Sequence, residues 1–248
     1  MIEPPKRKTN QKYLIMLFLI LILSTTFFIM YKYYVEGEQN IPFNITKMIV
    51  ISSAETQNFA KNESVYQADV VQKNDIYIAI EKNQNYKKED AIKKIIFDNF
   101  KIVEAGSKGN VKIYRTSQGE KSFEYVEEYE INDSIEYIGA KNTNLKQEQM
   151  TISNQGGLIE LSALIKDLGK ITYTENENIV SDGTLISKLN LTNEEIKTKI
   201  SFDMSIELQS GNTFKTTILL ELPAGDIATE GVSTTENTDL SKLVFKRI

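Results

Sequence analysis

The chain has 248 residues, a formal net charge of -5 and a hydrophobic fraction of 41%, and it contains no Cys, His or Trp. These absences exclude disulfides, thiolate and imidazole metal sites, cysteine nucleophiles and imidazole general bases within the chain, and leave Asp, Glu, Lys and Tyr for acid–base work. An acidic balance without basic patches argues against a nucleic-acid surface, while the apolar content is enough to build a folded core.

The first predicted element is YLIMLFLILILSTTFFIMY, an uncharged run of nineteen residues from Tyr13 to Tyr31. At helical rise it spans about 28 Å, close to the roughly 30 Å hydrocarbon core of a bilayer. It has no polar face, and Ser24, Thr25 and Thr26 can return their hydroxyls to helical carbonyls. A signal peptide would have a shorter apolar region, so residues 13–34 are read as an uncleaved transmembrane helix. Lys6, Arg7, Lys8 and Lys12 precede it, whereas Glu36 and Glu38 follow soon after Lys32, which places residues 1–12 in the cytoplasm and the rest outside. Tyr13 at one end and Tyr31, Tyr33 and Tyr34 at the other fit the headgroup levels.

Beyond the polar stretch VEGEQNIP the apolar period becomes two. Strands are predicted at 47–53, 74–83, 110–116 and 158–168, and in the last of these Ile159, Leu161, Ala163 and Ile165 share a face. One short helix is predicted near 87–95, with Glu89 and Asp90 at its N-terminal end and Lys93 and Lys94 at its C-terminal end. The most regular pattern is a hairpin at 199–223. Ile200, Phe202, Met204, Ile206 and Leu208 alternate with polar residues, Gly211 supplies the turn, and Pro223 ends the pairing. STTENTD reads as a loop and SKLVFKRI as able to add a last strand. The expected fold is therefore mainly β, an N-terminal transmembrane helix followed by antiparallel β-sandwich structure. AKNTNLKQEQ at 140–149 suggests a division into a first β domain at 40–140 and a second at 150–248; a single larger sandwich is the alternative.

The order of a basic tail and single span, then IPFNITKMIVISSAE, NDIYIAIEKN, SFDMSIELQSGNTFK and VFKRI, resembles single-pass membrane-anchored proteins of low-GC Gram-positive bacteria. The resemblance implies a location at the outer side of the cell membrane and carries no activity with it.

Seven carboxylates lie between Glu120 and Glu136, within and around FEYVEEYEINDSIEYIG. Glu124, Glu127, Glu128, Glu130 and Asp133 could offer hard oxygen ligands to Ca²⁺, but the EF-hand spacing is absent and glutamates along a strand form a row. In strand register Phe123, Tyr125, Tyr129 and Ile131 share one face and Glu124, Glu128 and Glu130 the other. Glu127 breaks the pattern and is read as a bulge, an edge or a site. A glycosidase would pair Glu127 or Glu128 with a second carboxylate across a cleft. Tyr77, Tyr114, Tyr125 and Tyr137 are candidate platforms for glycans or peptides, or plain core residues. Ser162 and Lys166 lie about 13 Å apart in a strand, too far for a dyad. Gly156-Gly157 reads as a turn. Sequons at Asn44, Asn62, Asn132 and Asn190 matter only in a eukaryotic secretory host. No cofactor and no metal is assigned.

The expected function is membrane-anchored, extracytoplasmic binding, assembly or envelope structure without catalysis. The partners are the lipid bilayer and a protein or envelope polymer, the latter recognised through a free strand edge. A cell-envelope hydrolase using paired carboxylates is the alternative, and a subunit of a larger membrane assembly is a third reading.

Overall fold

The computed structural model describes residues 10–38, 40–116, 123–141, 149–237, 240 and 243–248. Helix α1 (Asn10–Met30) continues as a π-helical turn, Tyr31–Glu36. Its apolar stretch is long enough to cross a membrane, and none of its most apolar window is buried by the rest of the chain. The hydroxyls of Ser24 and Thr25 donate to the Leu21 carbonyl at 2.9 and 2.7 Å, which removes two polar groups from an otherwise apolar surface.

The remainder is mainly β. Its strands are β1 (Phe43–Asn62), β2 (Val65–Lys82), β3 (Ile92–Glu104), β4 (Asn110–Arg115), β5 (Ser134–Gly139), β6 (Met150–Ile152), β7 (Gly156–Thr174), β8 (Thr198–Leu208), β9 (Thr213–Leu222), β10 (Ser233–Asn237) and β11 (Lys246–Arg247). They form a five-stranded sheet, β10-β1-β2-β7-β4, and a six-stranded sheet, β11-β9-β8-β3-β5-β6. Pairing is antiparallel except between β5 and β6. Period-two alternation explains the packing: Ile76, Ile78 and Ile80 of β2 and Ile159, Leu161 and Ala163 of β7 point inward. They meet Ile95 and Phe97 of β3 and Phe202, Met204 and Ile206 of β8 in one core. Each sheet draws strands from both sides of residues 140–149, so that stretch divides strands in sequence and not in space.

A second core lies beyond the first. Ala54, Val70, Ile165 and Leu168, on the far halves of β1, β2 and β7, are covered by Leu185 and Ile186 of α2 (Thr184–Lys188), Ile196 of α3 (Asn193–Ile196) and Ile227 of α4 (Ile227–Glu230). Between the two cores runs a buried polar belt. Ser52 Oγ donates to Asn74 Oδ1 at 2.7 Å, Gln72 Nε2 donates to the same oxygen at 3.1 Å, and Asn74 Nδ2 donates to the Ala163 carbonyl at 3.0 Å. The backbone N–H of Ala224, where the chain leaves β9, donates to Ser52 Oγ at 2.8 Å. A chain crossing between two apolar clusters must still satisfy its backbone, and this belt does so.

Three local expectations are corrected. Residues 87–91 are irregular and Ile92 opens β3, so there is no helix at 87–95. Complementing a helix dipole is worth about 0.3–1 kcal/mol, whereas burying Ile92, Ile95 and Phe97 in the sheet contributes roughly 1.5–3 kcal/mol each. Ser233–Asn237, read as a loop, pairs with β1 as an edge strand. Polar residues suit it because most of its side chains are exposed. The segment around Glu127 is not a strand, as described below. The three short helices were not anticipated, although Thr192 and Glu195 form a capping box whose spacing is visible in TNEE. The hairpin stands as read, with Gly211 at φ +88° and β9 ending at Leu222.

On the outer face of the six-stranded sheet Asp203 accepts hydrogen bonds from Thr217 Oγ1 (2.6 Å) and Asn99 Nδ2 (3.0 Å), and pairs with Lys215 Nζ at 3.0 Å. Burial alone raises its pKa, but these three donors together outweigh burial and hold it below the ordinary carboxylate value. A depressed carboxylate stabilises the fold above its unfolded pKa of about 3.9, and the contribution disappears as pH falls through the lower folded value. Asp203→Ala is therefore expected to cost about 2 kcal/mol at pH 7. The gap to wild type should close below roughly pH 4, read by urea unfolding of the detergent-solubilised chain.

Candidate functional site

The acidic segment is a strap across the outer face of the five-stranded sheet. Residues 123–125 have no regular secondary structure, Glu127–Tyr129 make one 3₁₀ turn, and Glu130 forms a single bridge to Tyr114. Tyr125 and Tyr129 pack on Val71, Tyr114 and Leu164, with the Tyr114 and Tyr125 rings edge to face at 5.3 Å. Docking two tyrosines over a small apolar patch needs a tighter rise than a strand provides, so Glu127 sits in a turn and not at a strand bulge or strand edge.

The carboxylates do not converge. Glu124, Glu127, Glu128 and Asp133 are exposed, and Glu130 pairs with Lys112 at 2.7 Å. Among the described residues no three acidic side chains are grouped to hold a metal ion. Glu120 lies outside the described residues. Of the tyrosines, Tyr114 and Tyr137 are buried and Tyr77 and Tyr125 half-buried. Burial holds the Tyr125 phenol well above its ordinary pKa, against the opposing effect of its 3.2 Å contact with Ser162 Oγ. Ser162 Oγ donates to Asp75 Oδ1 at 2.9 Å, and the Lys166 ammonium lies 5.2 Å over the Tyr114 ring. Ser162 and Lys166 thus face different partners.

A cleft among the described residues lies elsewhere, at the open side of the sandwich between β9 and β10. The cleft, of about 480 Å³, has Met48, Val50 and Leu219 among its apolar lining and Asn193, Lys197 and Asp226 among its polar groups. The Asn193 Oδ1 atom is buried without a hydrogen-bond partner among the described residues. Thr235 Oγ1 donates to the Ala224 carbonyl at 2.8 Å and ties β10 to the loop after β9.

No protein-family model matches this chain, and neither a curated protein nor a solved structure matches it.

What the cleft can do follows from the register of β9. Leu208 N–H donates to the Asn212 carbonyl across the turn, and Ile248 N–H donates to the Thr213 carbonyl from the opposite side. Even-numbered residues of β9 therefore direct their backbone groups to β8, and odd-numbered residues direct theirs away. β11 covers only Phe214 and Lys215 before the chain diverges, because Phe245 bridges Glu38 instead. The backbone groups of Thr217, Leu219 and Glu221 thus form an edge without a strand partner among the described residues. Leu219 stands on it 55% exposed. An edge of this kind leaves its main-chain groups open to an added strand, and the cleft lies beside it. The period-two pattern located β9, but its free edge depends on where β11 departs, which no local pattern in the sequence encodes.

Proposed function

We propose that the chain is a single-pass membrane protein, N-terminus in the cytoplasm, whose β-sandwich outside the cytoplasm binds a partner or serves envelope assembly without catalysis. The observation that carries this is α1: its apolar window has no cover from the described residues, and a bilayer would supply an apolar phase that matches its length. The uncovered edge of β9 beside an apolar cleft supports strand addition by an extended protein segment as the mode of binding. A hydrolase would need Glu127 or Glu128 to face a second carboxylate across a cleft. Both stand exposed on a turn, which gives that reading no support.

Because the chain has no Cys, single introduced thiols report topology cleanly. In intact cells Phe59→Cys is expected to react with a membrane-impermeant maleimide, and Lys6→Cys only after lysis. The protein should resist alkaline carbonate extraction. Release by carbonate, or the reverse labelling pattern, would reject the proposal.

A further inference from the structure

We propose that the end of the sandwich bearing the β8–β9 turn rests on the surface of the bilayer that holds α1, so that lipid headgroups are a binding partner of the sandwich itself. This builds on the membrane-anchored reading above. It follows from how residues 244–248 clasp the segment leaving the helix.

Gly37 turns the chain at φ +84°, and a Cβ there would lie 2.6 Å from both the Phe245 carbonyl oxygen and Val244 Cγ1. Only glycine fits so close an approach. Glu38 and Phe245 then exchange two backbone hydrogen bonds, 2.7 and 3.1 Å, as an antiparallel bridge. Antiparallel pairing fixes a direction. As residues 38–43 run away from the helix, residues 246–248 run back toward it. Arg247 closes the clasp: its Nε lies 2.6 Å from Glu38 Oε1, and its guanidinium lies 4.3 Å from the Tyr33 ring centroid and 5.6 Å from that of Phe214.

Tyr33 belongs to the Tyr31–Glu36 turn, where interfacial aromatic side chains mark the headgroup level. Arg247 therefore brings residues 246–248 to that level, and the Ile248–Thr213 hydrogen bond brings the 209–212 turn with them. Ile248 is 67% exposed, and Lys246 is also exposed. An apolar side chain beside basic ones is the composition that an interface favours. At the other end, the β1–β2 tip stands roughly 65 Å away along β1, its 20 residues rising about 3.3 Å each.

The absence of Trp makes an introduced one the sole indole fluorophore. Full-length Ser210→Trp, Ile248→Trp, Leu19→Trp and Phe59→Trp chains would be reconstituted in phosphatidylcholine–phosphatidylglycerol vesicles, with and without bromine on the phosphatidylcholine acyl chains near the headgroup. Leu19→Trp is expected to lose emission, Ile248→Trp and Ser210→Trp to lose emission to a smaller extent, and Phe59→Trp to be unchanged. Adding Arg247→Ala to Ser210→Trp should restore its emission. If Leu19→Trp is quenched while Ile248→Trp and Ser210→Trp behave like Phe59→Trp, the base stands clear of the bilayer and the proposal falls alone. If Leu19→Trp is not quenched either, the anchored reading falls and takes this one with it.

Discussion

Asn74→Leu is expected to destabilise the sandwich by roughly 3–6 kcal/mol, because it strips partners from several buried groups at about 1–3 kcal/mol each. Asn74 is fully buried; its Oδ1 accepts from Ser52 and Gln72, and its Nδ2 donates to the Ala163 carbonyl. Leucine keeps the heavy-atom count and branching of asparagine and leaves no cavity, so the loss reports the missing hydrogen bonds together with the fit of two somewhat larger methyl groups. Two companion variants give the sign of each part. Ser52→Ala removes the acceptor for the Ala224 N–H and should cost about 1–3 kcal/mol. Gln72→Met should cost little or nothing, since Gln72 Oε1 is buried without a partner among the described residues and the substitution removes it. Urea unfolding of the detergent-solubilised chain measures all three. A loss of less than 1 kcal/mol for Asn74→Leu would show that the belt is not what satisfies the chain between the two cores.

The belt also shows where reading residues in one dimension stops. Period-two alternation at Ile200–Leu208 and Phe214–Leu222 specified β8, β9 and their inward faces, because a strand half-covered by a second sheet has no other solution. The uncharged stretch from Tyr13 to Tyr31 likewise contained its own length criterion. Residues 52, 72 and 74 carried no such signal: in sequence they are ordinary polar residues, and only the meeting of β1, β2 and the chain at Ala224 makes them a network. The distal half of β1, TQNFAKN, is polar enough to pass for a loop, yet it pairs with β2 down to Asn62 and Val65. Backbone hydrogen bonding there needs no apolar pattern. The acidic segment misled for the opposite reason. Its alternation imitated a strand, while Tyr125 and Tyr129 were spaced for a short turn that lets both reach the Tyr114 patch.

The strand-addition reading makes adjacent residues of β9 respond oppositely to proline. Ile218 directs its N–H to β8 and its side chain, fully buried, into the core. Ile218→Pro removes a ladder bond and disturbs the core, and should cost roughly 3 kcal/mol or more. Leu219 directs its N–H outward, away from β8, where proline removes a donor that no described strand uses. Leu219→Pro should therefore change stability by no more than about 1 kcal/mol, as proline on an open edge generally does. If a partner adds a strand at this edge, Leu219→Pro abolishes its co-purification from native membranes although the fold survives, because added strands are held by main-chain hydrogen bonds. Leu219→Arg separates the two contributions: it keeps the N–H and changes only the side chain, so it should weaken capture without eliminating it. A partner that co-purifies equally well with wild type and Leu219→Pro does not use the β9 edge, and binding would then belong to another surface of the sandwich.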